Sequence, residues 1–228
     1  MINKELWMSD IIEKMKPVFQ NRLLFVGLQG SYQRNEENET SDFDVVVVLD
    51  QLSVSDLKVY QSIIKTMPES EKACGFICGA DELLNWPLHE IFPLLQDTDG
   101  YFGDLNCLLP AYGKNDIQQN VNISAANLYH AVCHLYLFGN ECRRTEDLKP
   151  LYKSVFFTAR LLEYLRTGVY CPTKTSLVER LHGDEKTLME ISLNWEKYQN
   201  DIDENPDAYF ERLMEWCRMI LLSENDLK

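Results

Sequence analysis

Over the first hundred or so residues, apolar and polar positions follow two alternating rhythms. Across 9–19 the apolar residues Ile11, Ile12, Met15 and Phe19 recur at helical spacing, with Ser9 or Asp10 available as cap and Pro17 predicting an early end or a kink. The apolar run Leu23 to Leu28 predicts a strand over 22–28, and Gly30-Ser31 turns the chain into a short helix starting at Ser31. After the polar stretch 35–41, the segment 42–50 holds five consecutive apolar residues, Val45 to Leu49, the pattern of a strand buried on both faces. A helix capped by Ser53 or Ser55 follows and ends near Met67-Pro68. A third strand is expected over 72–78, then a turn at Gly79-Ala80-Asp81. Asp97-Thr98-Asp99-Gly100 reads as a turn, and 108–113 as the connection out of this part.

Beyond about residue 120 the strand rhythm disappears. Segments 123–138, 145–167, 175–181, 184–200 and 206–222 carry helical patterning, and Gly139, Gly168 and Gly183 follow three of them as helix terminators would. The expected architecture is α/β (α+β): an α/β domain over 1–115 and a helical bundle over 116–228.

The chain is long enough, at 228 residues, to bury a substantial core. Its formal charge of −14 argues against general nucleic-acid binding, which needs clustered Lys and Arg. Seven scattered cysteines with no Cys-x-x-Cys pair predict reduced thiols rather than a structural zinc site. Neither a signal-peptide core nor a membrane-length apolar run is visible, so a cytoplasmic protein is expected. His130 and His134 have the spacing of a zinc pair but no accompanying third ligand, and read as packing or surface residues.

One constellation carries chemistry. Gly30-Ser31 follows an apolar strand, and Ser41-Asp42-Phe43-Asp44 heads the next. Strand periodicity would set Asp42 and Asp44 on one face about 7 Å apart. Paired carboxylates there would hold a divalent cation, and a small Gly-Ser turn suits phosphate. Asp44 precedes a buried strand, where an unpaired carboxylate is costly, which favours a metal or ligand role.

These residues resemble the nucleotidyltransferase superfamily that includes DNA polymerase beta, and the helical second half is similar to its aminoglycoside and lincosamide nucleotidyltransferases. The resemblance implies a polymerase-beta-like domain followed by the bundle. It implies Mg²⁺ held by Asp42 and Asp44, nucleotide contacts from Gly30, Ser31 and Ser41, and transfer of AMP from ATP to a hydroxyl of a small, aminoglycoside-like acceptor. The helix 159–168 and Cys171-Pro172-Thr173-Lys174 resemble the streptomycin/spectinomycin-type enzymes, which makes Arg160, Lys174 and, more loosely, Lys153 triphosphate contacts.

The resemblance breaks at one point. Family members that transfer a nucleotide carry a third carboxylate on the next strand, and here Cys74 aligns with it; a thiol is a poor Mg²⁺ ligand. The acid could come from another register (Glu71, Asp81 or Glu82) or from further along (Glu90, Asp97, Asp99 or Asp104), with Asp104 the chosen candidate for the catalytic base. The missing acid also leaves open a non-catalytic nucleotide-binding or regulatory module, or transfer to a protein or tRNA.

Overall fold

The computed structural model describes residues 3–140 and 143–223. Cys142 lies outside them. The chain divides into two compact units, Met1–Tyr112 and Gly113–Lys228.

In the first unit, α1 (Lys4–Phe19) is capped by the Asn3 side chain and leads through a 3-10 turn into β1 (Leu23–Gln29). Pro17 does not end α1 early: the helix runs on two residues to Phe19, although the proline nitrogen has no proton to donate to the Glu13 carbonyl. The short α2 (Gly30–Arg34) closes on Asn35 in the left-handed region (φ 55°), and β2 (Phe43–Leu49) follows. Next come α3 (Val54–Ile64), β3 (Ala73–Gly79), α4 (Ala80–Leu84), α5 (Leu88–Gln96) and β4 (Asp99–Phe102). The sheet order is β3-β2-β1-β4; β1 is antiparallel to β2 and β4, and β2 is parallel to β3.

β2 is central, and its two faces pack into different cores. Val45, Val47 and Leu49 join α1 residues such as Met8, Ile11 and Met15, whereas Val46 and Val48 meet Phe25, Cys78, Leu83 and Leu105. The unbroken apolar run is thus explained by double burial. β4 replaces the expected turn at 97–100. It is a four-residue edge strand containing Gly100, too short and too polar to show a period-two pattern.

The second unit contains α6 (Lys114–Phe138), α7 (Arg144–Thr167), α8 (Lys174–Val178), α9 (Gly183–Leu193), α10 (Trp195–Glu204) and α11 (Pro206–Ser223). The stripe Ile117, Val121, Ala125, Leu128 and Val132 buries one face of α6, which packs on α7 and α11. Tyr152 of α7 donates a buried hydrogen bond to the Tyr209 carbonyl at 2.9 Å. Gly168 ends α7 in the left-handed region (φ 74°), but Gly183 opens α9 instead of ending a helix. The expected single helix over 184–200 is two, α9 and α10, broken at Asn194. No helix among the described residues is long and apolar enough to cross a membrane.

Candidate active site

The antiparallel register pairs Gln29, the last residue of β1, with Asp44 near the start of β2, so the Gly30 turn and the aspartates meet at one end of the sheet. Gly30 has φ +74°, a conformation natural to glycine. A side chain there would also collide with Asp44: a Cβ would overlap its Oδ2 and stand 3.0 Å from its Cγ. Glycine is therefore required twice, by the backbone angle and by the carboxylate lying against it.

Asp42 sits just before β2, exposed, and Asp44 lies within the strand, half-buried. Burial pushes the Asp44 carboxyl above its ordinary range and the nearby Asp42 charge adds to the effect; the neighbouring Cys74 thiol and the Arg34 charge act in the opposite direction. Two carboxylates in mutual repulsion, one of them partly desolvated, form a donor set that a hard divalent cation would relieve. Mg²⁺ sites of this kind use one or two carboxylates together with substrate phosphates. Among the described residues no group of three or more His, Cys, Asp or Glu side chains stands ready to hold a metal. The chemistry of the pair fits a cation shared with a ligand, not an all-protein cage.

Around the pair, the Ser31 carbonyl accepts from Glu36 N at 2.9 Å. Ser41 is occupied in its own turn: its hydroxyl accepts from Asn38 N at 2.9 Å, and its N–H donates to the Asn38 carbonyl. Arg34, on α2, donates from Nε to Glu36 at 3.1 Å and acts on Asp44 through its charge. Sequence reasoning passed over Arg34, although it is the one basic residue between Gly30 and Asp44.

The parallel register sets Cys74 directly beside Asp44. Asp81 and Glu82 belong to α4, beyond Gly79, which pairs with Leu49 at the other end of the sheet.

Asp104, the expected base, is not brought to the carboxylate pair. β4 runs antiparallel to β1 from Asp99 beside Leu28 to Phe102 beside Val26, and Gly103 packs on the Leu24 backbone, so Asp104 follows at the far end of the strand. There it caps a 3-10 turn, accepting from Asn106 N at 3.0 Å and Asn106 Nδ2 at 3.1 Å, with Cys107 as a further donor. These donors hold its carboxyl below the ordinary range, which also weakens it as a base.

The three cations singled out in the sequence all belong to the second unit. Arg160 is buried, with its guanidinium 4.7, 5.1 and 5.2 Å from the ring centroids of Phe156, Phe157 and Tyr170. Lys174 is the first residue of α8, behind the Thr173 cap, and Lys153 is exposed on α7. His130 and His134 are exposed neighbours with ring centroids 6.1 Å apart.

Residues 8–93 match the nucleotidyltransferase domain family. Among solved structures, the chain is similar to spectinomycin adenyltransferase AAD(9) from Enterococcus faecialis, crystallised with ATP and spectinomycin. The identity is 15% and the TM-score 0.53, over 90% of this chain and 99% of that one. At that identity the likeness is one of fold. No curated protein sequence matches the chain. The family match spans both the Gly30 turn and the Asp42/Asp44 pair, so this part of the chain is similar to a nucleotidyltransferase domain, in a fold that resembles that of the spectinomycin adenyltransferase.

Proposed function

We propose that the chain transfers AMP from ATP to a hydroxyl group of a small, cationic, aminoglycoside-like acceptor, in a reaction that depends on Mg²⁺. The observation that carries this reading is Asp44 pressed against Gly30, with the Asp42 charge close to it, at the end of β1 and β2. Asp42 and Asp44 would hold the cation, which when bound offsets triphosphate charge and polarises the phosphoryl group. Gly30 and Ser31 would pass close along the phosphates, where a side chain at position 30 would be in the way. Arg34 adds a fixed positive charge beside Asp44 and helps keep it ionised. Arg160, Lys174 and Lys153 are assigned to the triphosphate by resemblance alone. The net charge of −14 favours a cationic acceptor over tRNA, and the structural neighbour's spectinomycin points the same way.

The test is isothermal titration with a non-hydrolysable ATP analogue, with and without Mg²⁺, beside the Asp42→Asn/Asp44→Asn double variant, followed by a pyrophosphate-release screen of hydroxyl-bearing acceptors. Mg²⁺-dependent binding that disappears in the variant supports the assignment. Equal binding by both proteins removes the aspartates from the site. Binding with no pyrophosphate release across the screen would favour a nucleotide-sensing role, the reading that Cys74 beside Asp44 also allows.

A further inference from the structure

The face of the sheet that carries Asp44 continues onto β3 as an open aromatic surface. The parallel register pairs Asp44 with Cys74 and, two residues on, Val46 with Phe76. Strand side chains alternate, so Asp44 shares a face of β2 with Val46 and Val48. Those two valines pack with Phe25, Cys78 and Leu83, and Phe76 packs against the same group. The opposite face, with Val45 and Val47, is covered by α1 and α3. Strand spacing sets Phe76 about 8 Å from Asp44, about 4.8 Å across and two residues along.

Phe76 and Trp86 are both partly exposed and meet edge-on, their ring centroids 5.0 Å apart and their planes at 75°. Trp86 is the one tryptophan of the four that is not buried. Leu84 and Leu88, on either side of it in the chain, are 55% and 40% exposed. β3 carries no charged residue from Ala73 to Gly79, so this surface has nothing to offer a phosphate. Its aromatic faces suit an apolar ring and attract a cation.

The sheet order β3-β2-β1 lines up three features: the aromatic pair on β3, the carboxylates at the head of β2, and the Gly30 turn after β1. In phosphoryl-type transfer the attacking and leaving oxygens lie roughly in line through phosphorus. With the leaving pyrophosphate along the Gly30-Ser31 turn, the acceptor oxygen approaches from the β3 side. Its bond to the α-phosphorus forms as the bond to pyrophosphate breaks, and the hydroxyl proton is released to water.

We infer that Phe76, braced by Trp86, is the stacking surface for the acceptor, a cationic hydroxylated ring of the aminocyclitol or amino-sugar class. The inference rests on the reading of Asp42 and Asp44 as the point of transfer, and adds to it the place where the acceptor lies.

The experiment titrates spectinomycin and kanamycin, as probes, into the native chain without nucleotide, following heat and tryptophan fluorescence. Phe76→Leu keeps an apolar side chain in the β3 packing and removes the ring; Phe76→Tyr keeps the ring; thermal melts establish that each variant is folded. At least one probe should bind the native chain and change its fluorescence, and the change should vanish in Trp86→Phe. Phe76→Leu should weaken that binding about tenfold, the order set by a ring or cation held on an aromatic face, and Phe76→Tyr should stay within about twofold of the native chain. Mg²⁺-dependent binding of the ATP analogue should be unchanged in both. Failure of both probes to bind the native chain, native-like binding by Phe76→Leu, or a fluorescence change that survives Trp86→Phe overturns the stacking surface. So does an equal loss of ATP-analogue binding in folded Phe76→Leu, the result expected of a nucleobase contact or a general structural role. A native chain that binds a probe but no nucleotide in Mg²⁺ overturns the transfer reading, and the acceptor role with it.

Discussion

At the residue scale, Asp44 sets a conflict between stability and function. Its carboxyl is raised by burial and by Asp42, so the folded protein binds a proton more tightly there than the unfolded chain does. Stability contributed by this group is therefore present at low pH and lost as pH rises from the ordinary value of 3.8 through the raised folded one. Asp44→Asn removes the loss. In metal-free buffer at pH 7 the variant should melt about 2 °C above the native chain, a change that corresponds to less than 1 kcal/mol in a protein of this size. The two should converge below pH 4. Added Mg²⁺ should stabilise only the native protein. Gly30 tests the same pair from the other flank. Gly30→Ala meets both the positive φ and the Asp44 carboxylate. It should cost roughly 1–2 kcal/mol and abolish Mg²⁺-dependent nucleotide binding, read by melting and by titration. Gly30, Asp42 and Asp44 could be identified in the sequence because turn chemistry and strand periodicity are local. Cys74 was placed at the site by resemblance alone, because its position beside Asp44 depends on a strand register that no local pattern specifies.

At the element scale, a charged cluster at the other end of β1 and β2 fastens helix to sheet. Arg22, just before β1, donates from Nη1 and Nη2 to the two oxygens of Asp56 at 2.8 and 3.0 Å, and from Nε to Asp50 at 3.0 Å. Asp56 also closes the capping box of α3, accepting from Ser53 N at 2.9 Å while its own N–H donates to the Ser53 hydroxyl. Arg22 first and Ser53 second hold the Asp56 carboxyl far below its ordinary 3.8. The sign is opposite to that of Asp44: this stabilisation is complete above the unfolded value and is lost as pH falls toward the folded one. Asp56→Asn should lower the melting temperature at pH 7, and the gap from the native chain should narrow steadily in melts taken between pH 4 and pH 2. The expected Ser cap of α3 is Ser53, legible because capping is written in a few adjacent residues. β4 was not legible. Its place is set by pairing with β1, and Gly100 together with the flanking aspartates hid it behind turn chemistry. Asp104 was misjudged for the same reason: without β4, nothing showed that the chain runs away from Asp44 before reaching it.

At the scale of the whole molecule, the balance of 36 acidic against 22 basic residues makes the chain self-repelling, and any added salt should stabilise it somewhat by screening. That general effect and the proposed cation site make separable predictions. Screening depends on ionic strength and acts across the whole surface, whereas capture by Asp42 and Asp44 requires one divalent ion and saturates. Melting curves in MgCl₂ and in NaCl matched for ionic strength should therefore diverge, with the Mg²⁺ series higher and levelling off once the site is filled. In the Asp42→Asn/Asp44→Asn variant the two series should coincide. ATP analogue added with Mg²⁺ should widen the divergence in the native chain, because nucleotide and cation would share the site, and should leave the variant where salt alone puts it. A native chain whose melting temperature follows ionic strength alone, whichever salt supplies it and with nucleotide present, would mean that Asp42 and Asp44 bind no cation.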